Sequence, residues 1–222
     1  MFVIERKPKS FVSEAYRTLR TNIQYSSFDK ELKTILVTSS DSGEGKSTIC
    51  GNLALAFAQS DKRVLLIDCD LRSPSIHKKF KISNIYGLSE VLLGTKRISE
   101  TIKSYNNKID ILPSGNLPPN PSELLGSEAF ENLLEQLKES YDLIILDSAP
   151  VRVVSDSQLL AAKADGTILV VKKDKTKINY IKESKNLLKN VGANIIGCVL
   201  NYNDKPGRKN KEYYVNEEVS AN

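Results

Sequence analysis

Apolar positions along this chain fall into short unbroken runs, separated by longer segments in which they recur every three or four residues. Five runs stand out, over 34–37, 64–67, 143–146, 167–171 and 194–200, with Ile109–Leu112 as a weaker sixth. The five are too short for buried helices and do not alternate with polar residues, as expected of parallel strands covered on both faces. Helical spacing predicts helices over 46–60, 127–139, 155–164 and 177–191, short helical pieces around 88–104, and a first helix over 11–26. In that first helix Ala15, Leu19 and Ile23 share one face and Ser13 is the expected N-cap. Glu14, Arg17 and Arg20, three apart, share another face. The alternation of strand and helix predicts one doubly wound, mainly parallel α/β sheet, with ligands at the carboxyl ends of its strands. Residues 116–122, with Pro118, Pro119 and Pro121, read as a stiff loop. Past Asn201 the pattern stops. A folded unit over 1–203 is expected to give way to a mobile tail over 204–222, basic and turn-rich at first, then carrying Glu212, Tyr213 and Tyr214.

Composition narrows the class. The 222 residues are 40% hydrophobic and 27% charged, the balance of a soluble globular protein with a real core. No apolar run approaches the ~20 residues that span a bilayer, and the first residues do not resemble a signal peptide. The expectation is a cytoplasmic protein that can visit a membrane surface. Cys50, Cys69 and Cys198 are odd in number and form no C-x-x-C pair, so they read as buried thiols in a reducing compartment. His77 is the single histidine, which excludes a multi-histidine metal site. The net charge of +5 permits contact with nucleic acid or anionic lipid and requires neither.

The chemistry gathers where runs end. After the first run come Ser40-Asp-Ser-Gly-Glu-Gly-Lys-Ser-Thr48 and then helical spacing, a strand, a glycine turn and a helix start in succession. Helix-start N–H groups and the helix dipole favour an anion there. Gly43 and Gly45 permit positive φ and close approach to oxygen. Lys46 supplies a charge for β- and γ-phosphates, and Ser47 a hydroxyl for Mg²⁺. The pattern G-x-x-x-x-G-K-[ST] is met except at its first position, where Ser40 replaces glycine. Ser42, Gly43, Glu44, Gly45, Lys46, Ser47 and Thr48 are therefore the candidate ATP-binding loop. Two further runs end in Asp68-Cys-Asp70 and in Asp147. In a parallel sheet all three carboxylates converge near the loop, which requires a cation among them; Mg²⁺, held by Ser47, Asp68 and Asp147, supplies it. Lys46, Asp68 and Asp70 are the candidate catalytic residues. One of the two aspartates holds metal while the other takes the nucleophile's proton, and the residues alone leave that division open.

With these motifs in place, the chain resembles the bacterial protein-tyrosine kinases of capsule and exopolysaccharide loci, in their cytoplasmic Gram-positive form. The resemblance rests on Thr38–Thr48 (Walker A), Val64–Arg72 with Asp68-x-Asp70 (the A′ motif), Leu143–Pro150 (Walker B), Glu14-x-x-Arg17-x-x-Arg20, and the tail pair Tyr213 and Tyr214. It implies ATP-dependent autophosphorylation of Tyr213 and Tyr214, mainly between subunits, and a ring of copies touching through Glu14, Arg17 and Arg20. It also implies a transmembrane polysaccharide co-polymerase as activator, a cognate tyrosine phosphatase, protein substrates in polysaccharide synthesis, and a place at the inner face of the plasma membrane. Asn201 would read adenine, and Tyr202 is a weaker acceptor. Two positions depart from the family's pattern: Ser42 stands where proline is common, and the tail holds two adjacent tyrosines where relatives often hold more.

Two rivals share part of this pattern. A partner-switched ATPase of the septum-positioning or partition type would carry a lysine where Asp41 stands. It would also bind DNA through a basic surface, and the nearest basic run, Lys172, Lys173, Lys175 and Lys177, reads as a solvated turn. A nucleotide-gated adaptor would bind ATP and phosphorylate nothing; the complete set Asp68, Asp70 and Asp147 argues against it. No nucleic-acid partner is expected.

Overall fold

The computed structural model describes residues 2–26 and 31–201; Tyr202, Tyr213, Tyr214 and the expected tail over 204–222 lie outside the described residues. Along the chain run α1 (Val3–Arg6), α2 (Phe11–Gln24), β1 (Thr34–Ser39), α3 (Lys46–Ala58), β2 (Val64–Asp68), α4 (Ile76–Phe80), α5 (Leu88–Leu92), α6 (Ile98–Thr101), β3 (Lys103–Tyr105), β4 (Ile109–Leu112), α7 (Pro121–Gly126), α8 (Glu128–Ser140), β5 (Leu143–Asp147), α9 (Asp156–Lys163), β6 (Gly166–Lys172), α10 (Ile178–Asn190) and β7 (Ile195–Asn201). The strands form one sheet in the order β3-β4-β2-β5-β1-β6-β7. Only β3 runs antiparallel to its neighbour. This is the doubly wound α/β architecture that the sequence pattern predicts.

Parity along the inner strands explains the unbroken apolar runs. Ile35 and Val37 of β1, Val64 and Leu66 of β2, and Leu143 and Ile145 of β5 join one core with Ile4 of α1, Ile23 of α2 and Leu53 and Phe57 of α3. The intervening Leu36, Leu65, Ile67, Ile144 and Leu146 join the opposite core with Phe130 and Leu134 of α8, Leu160 of α9 and Leu188 of α10. Each fully buried large side chain contributes about 1.5–3 kcal/mol, so both faces of these strands resist polar substitution. The cover is so close over α3 that a Cβ at Gly51 would lie 2.2 Å from the Phe2 ring.

Several local expectations need correction. Ser10, not Ser13, caps α2: its hydroxyl accepts from the Ser13 N–H at 3.2 Å. Ser13 is buried instead and donates to the Lys7 carbonyl at 2.6 Å, which fastens α1 to α2. The helical stretch expected to reach 104 ends at Thr101, and Lys103–Tyr105 pairs with β4 as a short edge strand. The expected proline loop ends early, because Pro121 occupies the first turn of α7, where a missing N–H costs nothing. Finally, β7 is covered only in part. It is the sheet's other edge, and Cys198 on it is exposed, while Cys50 and Cys69 are buried as expected. No helix among the described residues is long and apolar enough to cross a membrane.

Candidate functional site

The loop from Ser40 to Lys46 joins β1 to α3 and depends on two glycines. Gly43 and Gly45 have φ of 74° and 100°, a region that side chains disfavour. At Gly45, a Cβ would also strike the Asn201 amide at 2.2 Å. Glu44 braces the loop from within. Its buried carboxylate accepts from the N–H groups of Ser40 (2.9 Å) and Asp41 (3.2 Å) and from the Thr176 hydroxyl. Ser40, standing at the usual glycine position, accepts a hydrogen bond from Ser184 of α10 at 2.8 Å. Asp41 pairs with Arg152 at 2.8 Å, and that guanidinium also lies 3.6 Å from the Tyr180 ring centroid. The basic turn after β6 is more than a solvated turn: Lys175 donates to the Ser42 carbonyl at 2.8 Å. The loop is held from three directions, leaving the start of α3 pointed at a cleft of about 340 Å³.

Lys46, Ser47, Thr48, Asp70, Ser75, Lys79 and Val153 are among the residues that line this cleft. Its floor is made where β2 and β5 end side by side, with Asp68 directly opposite Asp147. Asp68 Oδ2 accepts from the N–H groups of Ser75 (3.1 Å) and Ile76 (3.0 Å), and Asp147 Oδ1 from the Cys50 thiol (3.5 Å). The remaining oxygens, Asp68 Oδ1 and Asp147 Oδ2, are buried with no hydrogen-bond partner. Burial, then the Asp147 charge, holds the Asp68 carboxyl well above the usual range. Burial also raises Asp147 to about 6, against the pull of Ser47 and Lys46. Two bare carboxylate oxygens in one buried site call for protonation or a cation.

A hard divalent cation fits that demand. Mg²⁺ takes oxygen ligands, often only one or two carboxylates plus waters and phosphate oxygens, and Asp68, Asp147 and Ser47 offer such a set. The expected convergence of all three acids is looser than that. Among the described residues no three acidic, histidine or cysteine side chains gather closely enough to hold a metal. Asp70 stands at the wall of the cleft, half-buried, its Oδ1 accepting from the Ser73 N–H at 3.0 Å; burial raises its carboxyl. The division left open by the sequence thus has a spatial counterpart, with Asp68 beneath the cleft and Asp70 facing it.

The structure adds residues that the motifs gave no role. Ser75 donates to the Ser47 hydroxyl at 2.7 Å and Lys79 to Thr48 Oγ1 at 3.0 Å, so the segment after the A′ motif closes over the loop. Arg72 makes a forked pair with the buried Asp156 at 2.8 and 3.1 Å, and Ser122 donates to the same carboxylate at 2.7 Å. Arg72 lies in a stretch already singled out; Ser75, Lys79 and Asp156 carry no pattern of their own. Asn201 sits beside the loop, its amide donating to the Glu44 carbonyl at 2.9 Å. Elsewhere, Glu14 and Arg17 on α2 pair at 2.5 Å, whereas Arg20 turns inward to donate to the Ala56 carbonyl at 2.8 Å. The α2 face is therefore divided, with Glu14 more exposed than Arg17, Arg17 also donating to the Pro8 carbonyl and Arg20 engaged on α3.

Comparisons with known proteins give the family. Residues 32–195 match the family model described as AAA domain. The chain is 41% identical to the tyrosine-protein kinase YwqD of Bacillus subtilis, covering 93% of this chain and 87% of the relative. It is 36% identical to the putative tyrosine-protein kinase CapB of Staphylococcus aureus, covering 95% and 92%. Among solved structures, the chimerical protein CapA2B2 superposes with a TM-score of 0.89 at 38% identity, covering 92% of this chain and 90% of the other. The kinase domain of the Escherichia coli tyrosine kinase ETK does so with 0.88 at 32%, covering 93% and 84%. A cobyrinic acid a,c-diamide synthase from Mycobacterium smegmatis, 16% identical with a TM-score of 0.68, shares the fold alone.

Proposed function

Because the chain belongs to the bacterial protein-tyrosine kinases, we propose that its cleft moves the γ-phosphoryl group of ATP onto Tyr213 and Tyr214 of another copy of the same chain. The observation that carries this reading is the meeting, at and just beneath one cleft, of a braced phosphate loop, two bare carboxylate oxygens and a separate wall carboxylate. Gly43, Gly45 and the start of α3 cradle the phosphates, and Lys46 stabilises the charge that builds on the transferring oxygens. Asp68, Asp147 and Ser47 would hold Mg²⁺, which when bound offsets phosphate charge and orients the chain of phosphates. A phenol with a pKa near ~10 benefits from a base. Asp70, on the cleft wall, takes that proton as the tyrosine oxygen bonds to the γ-phosphorus and the bond to the leaving ADP oxygen breaks.

Asn201, whose amide holds the Glu44 carbonyl beside the loop, would read the adenine. Glu14 and Arg17 serve the contact between copies, with Arg20 fixing α2 to the body. The setting is the inner face of the plasma membrane, in capsule or exopolysaccharide synthesis. A transmembrane activator switches the kinase on there and a tyrosine phosphatase resets it. The relatives' names as tyrosine-protein kinases support the activity; CapA2B2, a chimera by its name, supports partnering with a second protein. The test is phosphotyrosine mapping by mass spectrometry after incubation with Mg-ATP, alone and fused to the activator's cytoplasmic segment. Phosphate on Tyr213 and Tyr214, absent from a Tyr213→Phe/Tyr214→Phe chain, is the expected result. ATP hydrolysis with no phosphotyrosine in either form would overturn the reading.

A further inference from the structure

Beneath the cleft lies a group that the phosphoryl transfer does not use, the Cys50 thiol. Cys50 is fully buried on α3, one turn after Ser47, so both side chains face the ends of β2 and β5. Its Sγ lies 3.5 Å from Asp147 Oδ1, within reach of a thiol hydrogen bond. The other oxygen of the same carboxylate, Oδ2, is buried without a partner. Asp68 shows the same division by another device: two backbone N–H groups take Oδ2 and leave Oδ1 bare. The two bare oxygens belong to residues in register on adjacent strands.

We infer that Cys50 is a positioning residue for the divalent cation: its thiol fixes Asp147 Oδ1 and so presents Oδ2 to the metal. A carboxylate hydrogen-bonded through one oxygen cannot turn freely, and holding a ligand in its binding geometry favours the metal without touching it. A thiol suits the position, because it donates only weakly and leaves the carboxylate's charge on the metal side. The inference rests on reading Asp68 and Asp147 as the metal-holding pair.

Mn²⁺ binding in the presence of a non-hydrolysable ATP analogue, followed by the loss of the free-ion electron paramagnetic resonance signal, tests it without turnover. The variants are Cys50→Ala, Cys50→Val, which leaves no cavity and has no donor, and Asp147→Asn as reference. The expected result is a roughly three- to tenfold weaker Mn²⁺ affinity in both cysteine variants, the scale of one lost hydrogen bond. Analogue affinity in chelator would stay as in the parent chain. A second readout is the infrared S–H stretch that disappears in Cys50→Ala; it should shift when the metal binds. Parental Mn²⁺ affinity in both cysteine variants, with binding lost in Asp147→Asn, would overturn the positioning role alone. Parental affinity in all three would overturn the metal reading as well.

Discussion

The strand β5 and the strand β7 look alike in sequence, each an apolar run ending in a polar residue, yet they meet opposite fates. Every residue of β5 is buried, and its last one, Asp147, is sealed beneath the nucleotide cleft. In β7 every residue is at least partly exposed; Leu200 is 54% exposed, and of the strand only its last residue, Asn201, bonds the loop. The difference lies in neighbours. β5 is paired on both sides by β1 and β2 and covered by helices on both faces, whereas β7 has β6 on one side and α2 partly across its face. A groove of about 460 Å³, lined by Leu19, Cys198 and Leu200 among others, remains between α2 and β7. Burial makes the first region a place for charge chemistry, because electrostatics act strongly there. Exposure makes the second a place where substitutions change association more than catalysis.

The largest effect that would break this contrast lies at Lys46. Lys46→Met should lower phosphotyrosine formation by about 100-fold or more while the circular dichroism spectrum stays unchanged. Next comes the buried acid pair. Asp147 has a folded-state value of about 6, above the ordinary 3.8, so the folded protein holds this proton more tightly than the unfolded one. Its contribution is present at low pH and is lost as pH rises from about 4 to about 6. Asp68, whose carboxyl is also raised, adds to the decline in the metal-free protein. Denaturant titrations across that range should show the decline, and Asp147→Asn should make it shallower, leaving the part due to Asp68, while abolishing stabilisation by Mg²⁺ with nucleotide.

The fold's general plan was legible because parity and length speak directly: runs such as Leu143–Leu146, filling both cores, read as interior parallel strands. The loop and the three aspartates were legible because phosphate and metal chemistry restrict residue types. What escaped was decided by tertiary neighbours. Nothing local distinguishes the edge at β7 from an interior strand. Ser75 and Lys79 matter because α4 folds over the loop, and Cys50 because α3 turns it toward Asp147. Tyr213 and Tyr214 came from resemblance, and their role rests on the reaction proposed for them.

A smaller effect is expected at the loop. Glu44→Ala leaves the Ser40 and Asp41 N–H groups without their acceptor, at a cost of about 1–3 kcal/mol in unfolding free energy. ATP affinity should fall with it, as read by calorimetry. The smallest is expected at the edge: Leu200→Ser should change unfolding free energy by less than about 0.5 kcal/mol. It should leave ATP affinity intact while shifting the assembly state seen by light scattering.

Transfer from this cleft to the tail of another copy can be read by mixing two variants. One is Lys46→Met with its tail tyrosines intact; the other is Tyr213→Phe/Tyr214→Phe with its cleft intact. Each alone should give no phosphate at 213 or 214, and the mixture with Mg-ATP and activator should give phosphotyrosine on the Lys46→Met chain. An unmodified mixture, under conditions where the parent chain phosphorylates those tyrosines, would contradict transfer between copies.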